Sequence, residues 1–242
     1  MFDRNVNVID VTLPGGQKTR VGVKENHKTR RINLRIDASS SGFTLTCPTG
    51  TSISHLKDFV HQNVNWLLDQ LSKLPKRIEF RDGTILLILG KSYVIRHCLD
   101  SVGNVWVQAD KPDQLLEICV SGKSEHLPRR ITDWLKKTAR EELMIRSKGY
   151  ANLLDQRVAR VSVRDTKTRW GSCSSKGNLS FSWRLILAPE HVLNYVCAHE
   201  VAHLVEMNHS PEFWAIVDRL IVDWRQSKNW LKHKGNMLHR YG

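Results

Sequence analysis

The residues best suited to chemistry are concentrated in one short stretch of the chain. His199, Glu200 and His203 form an H-E-x-x-H run, and His209 follows His203 six residues later. On a helix, residues i and i+4 lie one turn apart on the same face, so the first two imidazoles can bind one metal ion. Glu200 lies about 100° around the helix from His199, close enough to reach a metal-bound water without being a ligand. The pattern predicts a catalytic zinc site.

A coincidental match is the alternative explanation. With 11 histidines in 242 residues, an H-E-x-x-H run with a further histidine at one fixed spacing arises by chance in about 1 chain in 1,000. The residues from 192 to 205 are largely apolar, which predicts a helix at or near a core. An unpaired carboxylate is costly in such a place, so the metal-site interpretation is favoured.

The third ligand requires the helix to end before His209. The polar run Glu206-Met207-Asn208 favours such a break, and Ser210 followed by Pro211 is typical of the N-cap and first position of a new helix. Glu206 stands where the metzincin pattern has glycine, so the turn must be made in another way. Three protein ligands and a water are typical of catalytic zinc, and no two cysteines have the C-x-x-C spacing of structural sites. We expect zinc, with other divalent transition metals as alternatives.

Several other strings lie on both sides of the histidines. They are Thr168-Arg169-Trp170-Gly171-Ser172-Cys173-Ser174, Asn178-Leu179-Ser180, Trp183-Arg184-Leu185, Ala188-Pro189, Asn208-His209-Ser210 and Phe213-Trp214, with thinner matches at residues 30–35 and 89–93. Together they resemble the YgjP-like metal-dependent hydrolases of bacteria, which are distant relatives of the SprT and WLM zinc proteases. The resemblance implies a zincin-like, metallopeptidase-like hydrolase. Nucleotide pyrophosphatase activity on UTP has been ascribed to members, so a peptide and a nucleoside triphosphate are both candidate substrates.

Metal chemistry and nearby cations suggest roles for individual residues. Bound zinc is expected to lower the pKa of its water toward about 7, and Glu200 to take the proton and deliver it to the leaving group. Arg169 and Arg184 are candidate substrate contacts, because a guanidinium binds phosphate or carboxylate bidentately. A structural ion pair is the alternative for either arginine. Trp170 is a third candidate for substrate binding, with a position in the core as its alternative.

The patterning predicts an α+β fold with two regions. Residues 1–125 hold short β-rich runs punctuated by turn residues, interrupted by one helix at 54–73, which predicts a small sheet built from hairpins. Residues 126–242 predict a zincin-like metallohydrolase domain. Its expected elements are a long helix from 128 to about 154, a strand at 158–165, a polar loop at 169–177, a strand at 179–187 and the H-E-x-x-H helix from 189 to about 206. The family resemblance implies that the second strand forms the edge of the cleft.

The charge balance suggests a competing function. Lys and Arg number 37 against 24 Asp and Glu, a formal net charge of +13. Such a surplus favours phosphate-bearing or nucleic-acid partners, and a basic cluster lies at Lys24, Lys28, Arg30, Arg31 and Arg35. The alternatives are therefore a nucleic-acid-associated binding module, a protease acting on DNA-linked proteins, or only a solvated basic surface.

Composition also indicates a compartment. No apolar run approaches the ~18 residues that a membrane span requires, and the first residues lack the pattern of a signal peptide. Five cysteines at irregular spacing fit reduced thiols rather than a disulfide framework. We therefore expect a cytoplasmic enzyme without a membrane partner. The oligomeric state has no signature in the sequence.

Overall fold

A computed structural model of the chain describes residues 8–12, 14, 16, 18–37, 42–73, 77–99, 103–108 and 115–242. Met1–Lys76 and Arg77–Gly242 form two compact units. Helices and mixed sheets occur in both units, so the predicted α+β class is confirmed. None of the described helices combines the length and the apolar character that crossing a bilayer requires.

The first unit is a four-stranded sheet with helices packed on one face. The strands are β1 (Val8–Thr12), β2 (Lys18–Glu25), β3 (Asn33–Asp37) and β4 (Gly42–Cys47), and their order in the sheet is β1-β2-β4-β3. β2 and β4 are parallel, and the two outer pairs are antiparallel. Because side chains alternate along a strand, Val21 and Leu45 point to the core, where they join Leu56 and Val60 of the following helix.

The predicted helix at 54–73 is two helices, so this prediction was wrong in one respect. They are α1 (Ile53–Gln62) and α2 (Val64–Lys73), separated at Asn63. Ser52 caps α1 by accepting a hydrogen bond from the N–H of His55 (3.3 Å). The side-chain amide of Asn63 donates to the carbonyl of Phe59 (2.7 Å). Asparagine competes in this way with the backbone of a helix, which explains the interruption.

The second unit begins with a sheet of the same topology. Its strands are β5 (Ile85–Ile88), β6 (Lys91–Cys98), β7 (Val105–Gln108) and β8 (Leu116–Ser121), ordered β5-β6-β8-β7 with β6 and β8 parallel. In both sheets the fourth strand lies between the second and the third. The consecutive antiparallel pairs β1–β2, β3–β4, β5–β6 and β7–β8 agree with the predicted hairpins. They form two sheets and not the one small sheet predicted, and within each sheet the two pairs join through parallel neighbours.

Helix α3 (Leu127–Asn152) connects this sheet to the metal-site region. Its buried residues recur at every fourth position, among them Ile131, Leu135 and Leu143. They share one hydrophobic core with the apolar side chains of β5, β6 and β8 and with the H-E-x-x-H helix. Along the chain, the boundary between the two compact units falls after Lys76. The division that the sequence predicts, at residue 125, lies within the second unit.

The remaining elements surround the H-E-x-x-H helix. They are β9 (Arg160–Arg164), β10 (Gly171–Cys173), β11 (Asn178–Ser182), α4 (Glu190–Ala202), α5 (Pro211–Leu220) and α6 (Trp224–Lys234). The predicted strand at 179–187 is too long, because the chain enters a 3₁₀ helix at Trp183–Leu187. Leu185, Ile186 and Leu187 are all buried, whereas a strand would have sent neighbouring side chains to opposite faces.

These strands form a small sheet within the predicted loop and strand region. β11 is its central strand, parallel to β9 and antiparallel to β10. β10 lies inside the predicted polar loop and occupies an edge of the sheet. The edge nearest α4 is therefore β10, and not the strand that directly precedes the metal-site helix.

The buried stripe of α3 generates a stability prediction. We expect Leu135→Ala to lower the free energy of unfolding by about 2–5 kcal/mol, because Leu135 is fully buried and its truncation leaves a cavity. Ile145→Ala is the matched control on the same helix, since Ile145 is 63% exposed, and it should change stability by less than about 0.5 kcal/mol. Urea unfolding of both variants measures the difference. Equal effects would contradict the proposed core.

Candidate active site

Helix α4 positions the first part of the motif. His199 and Glu200 lie in its last turn, and His203 is its C-cap residue. The predicted helix to residue 206 was therefore too long. After Ala202 the chain tightens: the N–H groups of Leu204 and Val205 donate to carbonyls three residues earlier, at 2.9 and 3.1 Å. Turns of this tighter kind are common at helix ends, and here they redirect the chain toward α4.

His209 reaches the same place from the connector between α4 and α5. Ser210 accepts a hydrogen bond from the N–H of Phe213 (3.4 Å), and Pro211 opens α5, so the predicted helix start is confirmed. The ligand atoms of His199, His203 and His209 lie within 4.8 Å of one another. Nε2 of His209 is 3.1 Å from Nε2 of His199. The structure thus brings together three imidazoles that could hold a divalent metal ion.

The three imidazoles pack against the ring of Phe213. Its buried ring lies 4.9, 4.5 and 4.8 Å, between ring centroids, from His199, His203 and His209. Trp214 lies beside the first and third rings, with centroids 5.8 Å from His199 and 5.9 Å from His209. Side chains packed in this way have few alternative rotamers. The aromatic pair therefore fixes the direction in which the imidazole nitrogens point.

The surroundings of His199 and His203 keep both side chains neutral. Nδ1 of His203 lies 3.0 Å from the backbone carbonyl of Glu206, which leaves its Nε2 to face the cluster. Nδ1 of His199 is buried without a hydrogen-bond partner among the described residues. Burial lowers the pKa of His199 to about 3, and electrostatic interactions with His203, His209 and Lys228 act in the same direction. Burial also lowers the pKa of His203. A neutral imidazole is the form that binds a metal.

The side chain of Glu200 extends from α4 and packs against β10. It is 6% exposed, and a Cβ on Gly171 would lie only 2.5 Å from its Oε1. Glycine at 171 is therefore what allows the strand to approach the carboxyl group so closely. Burial raises the pKa of Glu200 to about 8, and the positive charge of Arg169 acts in the opposite direction. Burial and the nearby Glu200 raise the pKa of the Cys173 thiol to about 11, so the thiol is protonated at neutral pH.

Two cations approach the site from different elements. Arg169 lies in the loop before β10, is exposed, and acts electrostatically on Glu200. The ammonium of Lys228 lies 4.4 Å from the ring centroid of Trp214 and acts electrostatically on His199. Its neighbour Ser227 is buried and donates to the carbonyl of His191 on α4 (3.1 Å), which fixes this part of α6. Within the described part of the chain, neither cation forms an ion pair with a carboxylate.

Arg184 is instead bound within the protein. Its guanidinium forms a bidentate ion pair with Asp165, at 2.7 and 3.1 Å. The remaining nitrogen donates to the carbonyls of Leu238 (3.1 Å) and Tyr241 (2.7 Å). The side chain is 11% exposed. These contacts favour the structural alternative for Arg184 over the predicted contact with substrate.

Trp170 packs against the end of the described chain. Its ring stacks on His239 with 5.2 Å between the centroids. A Cβ on Gly235 would approach the same ring to 3.0 Å. The ring is half-buried, and its stacking on a substrate stays a prediction.

Comparison with known proteins identifies the family. A family model described as YgjP-like, metallopeptidase domain, matches residues 30–234. The chain belongs to the YgjP-like metallopeptidase family. No curated protein matches it. Among solved structures, the metallopeptidase zymogen of Pyrococcus abyssi abylysin is similar at 20% identity and a TM-score of 0.34, over 38% of this chain and 95% of that one. As a YgjP-like protein, the chain is a metal-dependent hydrolase.

Three groups lie at this candidate site although the sequence did not single them out as site residues. They are the Phe213 ring, Gly171 and Lys228. Phe213 and Gly171 lie inside the strings that carry the family resemblance, so the signal for them was available. Nothing local marks Lys228, because the docking of α6 on α4 brings it to the site.

The close approach of Gly171 generates the first prediction for the site. We expect Gly171→Ala to reduce hydrolysis by about 10²-fold, because the added Cβ displaces the Glu200 carboxyl group by an ångström or more. The bound metal, measured by elemental analysis, should be unchanged. Gly149→Ala is the matched control, since a Cβ at that position of α3 meets nothing within 4 Å. Full activity of a folded Gly171→Ala variant would contradict the assigned contact.

The Asp165–Arg184 pair generates a prediction for pH. Burial opposes the charge of Asp165, but the hydrogen bonds and charge of Arg184 outweigh it and lower the pKa of Asp165. A carboxyl with a lowered pKa stabilises the folded state above its unfolded value of about 3.9, and this stabilisation is lost as the pH falls through the folded-state pKa. Asp165→Asn should therefore reduce stability at neutral pH and flatten its decline below about pH 4.

Urea unfolding at a series of pH values measures this effect. Asp133→Asn is the control, because Asp133 forms an exposed i,i+4 pair with Arg129 at 3.3 Å on α3. Exposed pairs of this kind contribute little to stability. An acid decline that is identical in wild type and Asp165→Asn would exclude the pair as its cause.

Proposed function

We propose that the protein is a zinc-dependent peptidase in which His199, His203 and His209 hold the metal and Glu200 is the general base. The observation that carries the proposal is the convergence of three imidazole nitrogens within 4.8 Å, beside a buried glutamate that is the neighbour of the first of them on α4. Membership of the YgjP-like metallopeptidase family supports a peptide as the substrate.

The donor set fits a catalytic zinc ion. Two nitrogens at about 2.0–2.1 Å from one tetrahedral Zn²⁺ lie about 3.3 Å apart, and the Nε2 atoms of His199 and His209 are separated by 3.1 Å. All three donors are imidazoles, and the ligand cluster contains no cysteine or carboxylate. When bound, zinc supplies a Lewis acid that acidifies a water and polarises the bond to be cleaved.

The chain's own residues account for the proton transfers. Glu200 is positioned to accept the proton of the attacking water and to pass it to the leaving amine. The aromatic wall of Phe213 and Trp214 shields one side of the site, which strengthens electrostatic interactions there. Because Gly171 has no Cβ, the carboxyl group has room to lie against β10.

The free edge of β10 supports an extended peptide as the substrate. β10 pairs with β11 on one side and is an edge strand of its sheet. An extended peptide can add to such an edge through main-chain hydrogen bonds, which bind without regard to side-chain identity. Because Gly171 contacts Glu200, a peptide on this edge would pass directly by the general base.

Nucleotide hydrolysis is the second candidate function. The observation that favours it is the pair of cations near the site, since Arg169 acts electrostatically on Glu200 and Lys228 on His199. A guanidinium and an ammonium suit the phosphates of a nucleoside triphosphate such as UTP. The same two groups would also suit an acidic side chain of a peptide, so the test includes both substrates.

The decisive variant is Glu200→Gln. We expect it to retain metal and to lose about 10²–10⁴-fold in kcat, because the amide keeps the shape of the side chain but cannot accept the proton. Glu190→Gln is the matched control on the same helix, where Glu190 is exposed and paired with Arg146. It should retain turnover within about twofold, the size of an ordinary surface effect.

Wild type and both variants are assayed, after metal analysis, on an unfolded protein and on nucleoside triphosphates. Protein cleavage that requires Glu200 supports the peptidase. Pyrophosphate release that requires Glu200 supports the nucleotide hydrolase instead. Full turnover of metal-loaded Glu200→Gln on either substrate would exclude the general-base role.

A further inference from the structure

The first sheet has one face that the helices of its unit do not cover. Along β2, β3 and β4 the inward side chains form the core, so the alternate positions point outward. We call this outward surface the open face. Its residues are Lys18, Arg20, Lys24, Asn33, Arg35, Thr44 and Thr46. The four cationic side chains among them are exposed.

The open face is basic. Four of its seven residues are Lys or Arg and none is acidic, while the outward register of the same sheet also includes Asp10 of β1 and Asp37 of β3. Arg20 pairs with Asp10 at 3.3 Å, but both side chains are about four-fifths exposed, at 83% and 79%. Among the described residues, Lys24 and Arg35 have no carboxylate partner. Their charges are therefore available to an anionic partner.

The register of the sheet places hydrogen-bond donors from three strands side by side, and a cleft lies over them. Thr46 of β4 pairs with Lys24 of β2 on one side and with Asn33 of β3 on the other. A cleft of about 260 Å³ lies over this row and is also lined by Arg35 and by Asn26 and Thr29 of the loop after β2. Every one of these six side chains can donate a hydrogen bond, and none is acidic or aromatic.

We propose that the open face binds the sugar-phosphate backbone of a double-stranded nucleic acid. Lysine, arginine, threonine and asparagine are the side chains that contact phosphate and sugar oxygens in such complexes. Single-stranded nucleic acids are bound by grooves that add aromatic rings for base stacking, and the described residues of the open face include none. On one strand, side chains at i and i+2 lie about 6.7 Å apart. β2 therefore presents Lys18, Arg20 and Lys24 along one line, with Gly22 between the last two.

The test measures binding of a labelled DNA duplex of about 20 base pairs by fluorescence anisotropy at several salt concentrations. Lys24→Gln/Arg35→Gln removes two central cations of the open face. Lys57→Gln/Lys148→Gln removes two exposed cations from α1 and α3, so the two variants have the same net charge. Lys24→Arg/Arg35→Lys keeps both charges at the site and serves as the rescue variant.

We expect the open-face variant to bind at least about tenfold more weakly and to lower the slope of log K against log salt by about 2, one for each lost phosphate contact. The control and rescue variants should keep the wild-type slope. Glu200→Gln should bind like wild type, which separates this proposal from the proposed hydrolase. Thermal unfolding checks that each variant is folded.

Any of the following outcomes would overturn the proposal. The first is equal weakening in the open-face and control variants, which would mean that only net charge matters. The second is tighter binding of the single strand than of the duplex. The third is equal affinity for polyglutamate, or no measurable binding by wild type at low salt.

Discussion

The candidate active site depends on where α4 ends. A helix can supply two imidazoles at i and i+4, but a third ligand must come from a chain that has already turned back. The turn after Ala202 achieves this through the N–H groups of Leu204, Val205 and Glu206, which donate to carbonyls at the end of α4. The Glu206 carbonyl then orients His203. The new helix then places Phe213 beneath all three rings. Extending α4 by one more turn would remove the ligand, the orienting carbonyl and the aromatic support together.

The two sheets have the same strand order, yet their surroundings give them different uses. In the second unit, the β5–β8 sheet shares its core with α3 and α4 and so supports the helix that carries the metal ligands. In the first unit, the equivalent sheet packs on α1 and α2 with one face only and leaves the other to solvent. The first arrangement provides rigidity for chemistry. The second provides a surface, and its polar and basic side chains determine what that surface can bind.

The sequence predicted the features that depend on local spacing. The H-E-x-x-H run, the Ser210-Pro211 helix start and the buried stripe of α3 each follow from neighbouring residues alone. It did not predict features that arise from competition or from long-range packing. Asn63 interrupts a helix whose apolar periodicity continues through it. Arg184, which the sequence makes a candidate substrate contact, binds Asp165 and the backbone carbonyls of Leu238 and Tyr241. The two carbonyls lie more than fifty residues along the chain, so no local pattern indicates them. The division after Lys76 depends on which hydrophobic core each strand joins. The strands before and after Lys76 have similar sequence patterns, so the sequence does not separate them.

The segment that includes the 3₁₀ helix Gly235–Arg240 links several of these features. Gly235 and His239 contact Trp170, the carbonyls of Leu238 and Tyr241 accept from Arg184, and Tyr241 pairs with Ile78 at the start of the second unit. Residues 235–241 therefore connect the beginning of the second unit to the loop beside Glu200, the proposed general base. A protease that cleaved the chain before Gly235 would leave every proposed metal ligand in place but would remove the contacts that hold this loop. In an activity assay, the loss of turnover after such a cleavage would resemble the loss caused by a substitution at the metal site.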